Sequence, residues 1–317
     1  MIYLLGNKAA ISRTLRHRDA GRQNDKMFDG VKIFPSKDGT AFPIVVPKVS
    51  SVERNRTMLR TLTVLAAVVA APISADAAVQ TKKVSYKHGD LECQGFLAWD
   101  DAVEGRRPGV LVVHEWWGLN DYARQRAEQL AKLGYVAFAA DMYGEGKTAQ
   151  HPKEALEMST KVRANVEDWR KRASKALEVL KSQPQCDPKN LAAIGYCFGG
   201  STALQLAYSG ADLKAVVTFH AALPPPTDAD VKRIKATILV CHGADDSFIP
   251  AKAIQAFRDP LDKGGAKYEF VSYPGAVHSF TVADADKHGL AGMKYDKAAD
   301  EDSWKRMRAL FTERFGK

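Results

Sequence analysis

The stretch Leu191-Ala192-Ala193-Ile194-Gly195-Tyr196-Cys197-Phe198-Gly199-Gly200 runs from an apolar strand pattern through a glycine turn into a helix-period segment, Gly200–Tyr208. A strand that turns into a helix within so few residues brings two backbones close together, and only hydrogen side chains at Gly195 and Gly199 fit between them. Cys197 is then raised at a strand end and a helix N-terminus, where free N–H groups and the helix dipole favour thiolate over thiol. The N–H of Phe198 faces the place where charge would gather on an attacked carbonyl oxygen. A small cysteine beside a glycine turn is also a common structural event, so a nucleophile needs partners elsewhere.

Two later segments supply them. Ile238-Leu239-Val240-Cys241-His242 opens into Gly243-Ala244-Asp245-Asp246-Ser247-Phe248-Ile249-Pro250, a strand followed by a turn with two carboxylates. Asp246 is the preferred acid for orienting a histidine; Asp245 stays open, because one of the two can simply bond turn N–H groups. Tyr268–Tyr273 then runs into Pro274-Gly275-Ala276-Val277-His278-Ser279-Phe280, which puts His278 just past a strand end. Nucleophile, acid and histidine in this order, each after its own strand, fit one acyl-transfer site.

The surrounding pattern predicts an α/β domain. Strand-like runs fall at Gly109–His114, Tyr135–Ala140, Leu191–Gly195, Ala215–Phe219, Thr237–His242 and Tyr268–Tyr273, several of them nearly continuous in Val, Ile, Leu and Ala, as in parallel strands buried on both faces. Two shorter stretches, Val84–Lys87 and Glu92–Ala98, precede them. Helical periods fall at Asp121–Leu133, Val166–Lys181, Gly200–Tyr208, Ala251–Lys263 and Ala298–Phe315. The expectation is a mostly parallel sheet with helices on both faces, in one domain over residues 78–317.

The formal charge of +9 is concentrated at the start, where residues 1–57 hold 11 Lys/Arg against 5 Asp/Glu. From Ala78 onward 34 basic residues face 31 acidic ones. That surplus is too small for a phosphate-tracking surface, so nucleic acid is not an expected partner. Met58-Leu59-Arg60, the apolar run Thr61–Ala71, Pro72 and Ala75-Asp76-Ala77 have the order of a secretory signal peptide. Residues 58–77 are therefore expected to be a cleaved leader and residues 1–57 an upstream extension. The mature protein would be periplasmic or secreted, with no membrane partner once the leader is removed. A genuine tail followed by a membrane anchor is the alternative. Of the four cysteines, Cys93, Cys186, Cys197 and Cys241, any pair could bridge in an oxidising compartment.

These residues resemble the dienelactone hydrolase family from about Val84 to the C-terminus. The resemblance is carried by His114-Glu115-Trp116-Trp117-Gly118-Leu119-Asn120, Asp141-Met142-Tyr143-Gly144, the elbow around Cys197, Asp246-x-Phe248-Ile249-Pro250 and His278-Ser279-Phe280. It implies an α/β-hydrolase fold and a carboxylic ester or lactone hydrolase that needs no metal or organic cofactor. In that family a glutamate after the third strand assists thiolate formation, here Glu115, and the next residue gives the second oxyanion N–H, here Trp116. A carboxylate directly after Val110-Leu111-Val112-Val113 is costly to bury unanswered, although it could instead cap the adjacent turn. His114 and His242 are expected to be structural, and His220 has no assigned role. Trp116, Trp117, Phe198 and Phe248 suggest an apolar acyl site. There is one departure: family members hold a substrate carboxylate with an arginine four residues after the histidine, and that position is Val282. Lys153, Lys161 and Arg163 give no clean match to a second arginine. A catalytically silent protein with a blocked Cys197, or a thiol redox protein with a resolving cysteine, are the competing expectations.

Overall fold

The structure, a computed structural model, describes residues 79–316. The expected leader and upstream extension lie outside the described residues. Eight strands form one sheet: β1 (Val79–His88), β2 (Leu91–Asp100), β3 (Arg107–Val113), β4 (Val136–Ala140), β5 (Cys186–Tyr196), β6 (Ala215–Phe219), β7 (Thr237–Gly243) and β8 (Tyr268–Tyr273). Their spatial order is β1-β2-β4-β3-β5-β6-β7-β8, antiparallel at β1, β2 and β4 and parallel from β4 onward. The helices are α1 (Asp121–Lys132), α2 (Pro152–Arg163), α3 (Val166–Lys181), α4 (Phe198–Tyr208), α5 (Asp228–Arg233), α6 (Ala251–Lys263) and α7 (Lys297–Phe315). This is the expected α/β-hydrolase arrangement. Among the described residues no helix is long and apolar enough to cross a membrane.

The central strands are apolar on both faces because both faces are covered. Val110 and Val112 of β3, with Ala192 and Ile194 of β5, pack with α1 and α7; Leu111, Val113 and Ala193 pack with α3 and α4. Alternate residues thus enter different cores, which erases the alternation that a one-sided sheet would display. Three elements differ from expectation. β1 is longer than Val84–Lys87, because an edge strand with Lys82 and Lys83 turned to solvent reads as loop. Helix α2 starts with Pro152 in its first turn and was not anticipated. Helix α4 begins at Phe198, two residues earlier than its small-residue pattern suggests.

Sequence neighbours β3 and β4 lie side by side, but the next strand, β5, crosses to the other flank of β3. In open α/β sheets this reversal opens a crevice at the carboxyl ends of the two strands. Glu115 follows β3 and Cys197 follows β5, so the crevice lies between them. The turn there is tight: a Cβ on Gly195 would stand 2.0 Å from the Gly199 carbonyl oxygen, and one on Gly199 would stand 2.1 Å from the Val113 oxygen. Both obstacles are backbone and cannot swing aside. Gly199→Ala is therefore expected to destabilise the fold by about 3 kcal/mol or more, at the upper end of overpacking costs; denaturant unfolding with less than about 1 kcal/mol of loss would contradict the contact.

Candidate active site

Cys197 sits between β5 and α4 with φ 52° and ψ −115°. A non-glycine side chain in that region is strained and persists only where its surroundings impose it. Here the imposition comes from both sides: the Cys197 N–H donates to the Phe219 carbonyl at 3.0 Å, and its own carbonyl accepts from Gly200 N–H at 3.1 Å. The half-buried sulfur is thereby aimed into the crevice.

His278 lies in the loop after β8. Its N–H donates to the Gly292 carbonyl and its carbonyl accepts from Lys294, both at 3.1 Å, which pins the loop to the segment before α7. The imidazole Nε2 is 3.1 Å from Cys197 Sγ and Nδ1 is 2.7 Å from Asp246 Oδ2. The other oxygen of Asp246 accepts the Phe248 N–H at 2.9 Å. Asp245 is exposed and points elsewhere, so the structure brings Asp246, and not its neighbour, to the histidine. Burial works against a charge on His278, but the Cys197 sulfur and the Asp246 carboxylate outweigh it and move the imidazole pKa upward.

Glu115 is 2% exposed and accepts from Ser279 Oγ at 3.0 Å. His220 Nδ1, which has no hydrogen-bond partner among the described residues, lies 3.9 Å from the same carboxylate. Burial pushes the Glu115 carboxyl up to about 7, against the lowering influence of His278 and Ser279. Glu115 therefore reaches the residue after the histidine, whereas the hydrogen-bond partner of Cys197 Sγ is His278. His220, unassigned from sequence, stands edge-on to His278 with ring centres 5.3 Å apart and bonds Thr281 Oγ1 through Nε2 at 2.8 Å. Burial lowers its pKa well below the ordinary value and keeps it neutral.

The crevice has a volume of about 360 Å³, and its wall includes Trp116, Leu156, Phe248 and Met293 around Cys197 and His278. Leu156 and Phe248 are about half exposed at its rim. The expected aromatic wall is only half realised. Trp117 is buried away from the crevice, stacked on His288 at 4.2 Å, and the ring of Phe198 is enclosed against Trp169, 5.7 Å away. Val282 is buried with Ala285 and Met293 and brings no cation. Arg163, at the end of the unanticipated α2, does reach the wall and bonds Ser159 Oγ at 3.1 Å. Lys153 and Lys161 are exposed. Only the helical register of α2 could have revealed Arg163, and Pro152 followed by Glu154 was its visible start signal.

All four cysteines are free thiols. Burial pushes Cys93 up to about 11 and Cys186 and Cys241 up to about 12, so these three are poor nucleophiles. Among the described residues no cluster of three His, Cys, Asp or Glu side chains is placed to hold a metal ion.

Residues 93–315 match the family model of the dienelactone hydrolase family. Protein usf of Aquifex pyrophilus is 29% identical over 235 residues, covering 73% of this chain and 97% of its own. A Synechocystis protein named as a carboxymethylenebutenolidase is 28% identical over 251 residues, 74% of this chain and 96% of its own. Among solved structures, m3DLH is 43% identical with a TM-score of 0.73, covering 75% of this chain and 99% of its own. A metagenomic protein described as a dienelactone hydrolase-like promiscuous phosphotriesterase is 41% identical with the same TM-score and the same coverage. Fold, sequence match and structural neighbours agree that this chain belongs to the dienelactone hydrolase family and is a hydrolase of the α/β-hydrolase superfamily.

Proposed function

We propose that this protein hydrolyses carboxylic esters or lactones through a covalent acyl-enzyme on Cys197. The observation that carries this reading is the line Asp246–His278–Cys197, with links of 2.7 and 3.1 Å, at the wall of an apolar crevice. The thiol gives its proton to His278 Nε2, and the imidazolium is held by Asp246. The thiolate attacks the carbonyl carbon, and the N–H groups of Phe198 and Trp116 accommodate the oxyanion. Collapse of the tetrahedral species expels the alkoxide, which takes the His278 proton. Water then gives a proton to His278 and attacks the thioester, releasing the acid and the thiol. Glu115, buried without a cation, sits beside this pair on Ser279 and favours positive charge on the imidazole whenever it is ionised. Free thiols at all four cysteines weigh against a blocked or disulfide-exchanging Cys197. The family resemblance to a promiscuous phosphotriesterase supports a second use of the same thiolate, on uncharged phosphotriesters.

Cys197→Ala is expected to lower kcat on short-acyl p-nitrophenyl esters and lactones by at least about 10³-fold; persistence of wild-type turnover in that variant, on esters or on a phosphotriester, would reject the mechanism.

The raised imidazole pKa sets the pH dependence. Alkali removes the imidazolium proton that the leaving group needs, so activity falls as pH rises through the raised pKa of His278. Asp246→Asn withdraws a group that holds the proton on, so the alkaline limb of kcat/KM is expected to move to lower pH while kcat drops by about 10²-fold or more. An unmoved alkaline limb in the pH profile would contradict this assignment.

Among the described residues Arg163 is the only Lys or Arg lining the crevice. We propose that it pairs with an anionic group on the substrate. Arg163→Gln is expected to raise KM at least about 10-fold for esters carrying a free carboxylate and to leave neutral esters within about twofold. Equal effects on both classes would remove Arg163 from recognition.

A further inference from the structure

Resting on the Cys197 mechanism above, we propose that His114 and Tyr143 are positioning residues that clamp the peptide planes on either side of Trp116, and so hold its N–H for the oxyanion. His114 directly follows β3 and is fully buried. Met142 N–H donates to its Nε2 at 3.2 Å, so the ring proton is on Nδ1, and Nδ1–H donates to the Glu115 carbonyl at 2.5 Å. That carbonyl and the Trp116 N–H belong to one planar peptide unit. Binding its oxygen fixes the plane and also polarises the N–H at the other end.

The next peptide is held independently. The Tyr143 hydroxyl donates to the Trp116 carbonyl at 2.8 Å. One residue further on, the Trp117 carbonyl accepts from Ala149 N–H at 2.9 Å. Between the two clamped planes only the φ and ψ of Trp116 remain, and neither can turn without breaking a buried hydrogen bond. Among the described residues no backbone carbonyl occupies the Trp116 N–H, so the donor is fixed in direction and free to be used.

The same two rings also touch the other half of the oxyanion site. His114 lies 5.9 Å from the Phe198 ring at an interplanar angle of 29°, Tyr143 lies 5.7 Å from it, and Tyr143 meets His114 edge-on at 4.9 Å. Phe198 opens α4, so its N–H has no partner within the helix. One buried aromatic cluster thus sets the spacing of both donors. Burial lowers the pKa of His114 and keeps the ring neutral, with one donor and one acceptor as the bonds require.

The test compares two reactions of the same sulfur. Ester hydrolysis develops an oxyanion; alkylation by iodoacetamide proceeds at a tetrahedral carbon and develops none. Tyr143→Phe keeps the ring and removes only the hydroxyl, and is expected to lower kcat about 10-fold with KM within about twofold. His114→Leu is expected to lower kcat about 10²-fold, and His114→Asn, which keeps an amide donor near the Nδ1 position, to recover much of that loss. Alkylation rates of Cys197 stay within about twofold of wild type throughout. The thioester carbonyl stretch of a slowly deacylating cinnamoyl-enzyme moves to higher frequency in both Tyr143→Phe and His114→Leu, reporting weaker hydrogen bonding. Unchanged kcat and carbonyl frequency in Tyr143→Phe would overturn the clamp, as would alkylation falling in parallel with kcat. If His114→Leu does not fold, Tyr143→Phe alone decides. Failure of the underlying mechanism is read separately, as turnover that survives in Cys197→Ala.

Discussion

The close passage of α4 across the ends of β3 and β5 governs everything else in this molecule. Gly199 lies so near the Val113 and His114 carbonyls that no side chain could stand between them. This approach holds Cys197 at positive φ and starts α4 at Phe198. It also brings the segment after β3 beside the first turn of the helix. If the helix were one ångström further out, the sulfur and the candidate oxyanion donors would lose their common focus. Strain at one residue is stable here because a large two-sided core supports it; Leu111, Val113, Ala193 and Phe198 are all buried beneath the turn.

Electrostatics within this frame divides the titratable groups by what answers them. Asp246 is buried with a histidine on one oxygen and a backbone N–H on the other. Glu115 has a hydroxyl and no cation within bonding distance, so burial dominates and its carboxyl is pushed up to about 7. His220 and His114, both enclosed, stay neutral and serve as hydrogen-bonding rings. The polarity of the site comes from a few groups of fixed orientation, while its walls remain apolar.

Recognition is organised differently from the chemistry. The catalytic candidates are attached to strand ends, where the sheet holds them rigidly. Leu156 and Arg163 come from α2, and Phe248 comes from a loop. Helix α2 buries only a narrow stripe, Ala155, Ser159 and Val162, so its remaining face is free to vary without disturbing the sheet. Arg163 is offered to the crevice from α2, while Val282, four residues after His278, is buried among apolar neighbours.

The strands and the order of Cys197, Asp246 and His278 were legible from the chain alone, because each rests on local chemistry: apolar runs, glycines at a cramped turn, polar residues just past strand ends. Signals that act only through space were not. The choice of Asp246 over Asp245 depends on which carboxylate the turn directs at His278. The burial of Trp117 and Phe198 depends on the rings they pack against, His288 and Trp169, and the arrival of Arg163 depends on the register of an unforeseen helix. His114 and Tyr143 were present in recognisable motifs, yet the Tyr143 bond to the Trp116 carbonyl and the Met142 bond to His114 Nε2 join residues 27 and 28 positions apart, and the His114 bond to the Glu115 carbonyl depends on how the ring is turned back on its own chain. Sequence determined which chemical groups this protein carries and the strand ends that bear them; tertiary structure alone decided which of those groups meet, because direction and distance between separate loops are set by packing and not by spacing along the chain.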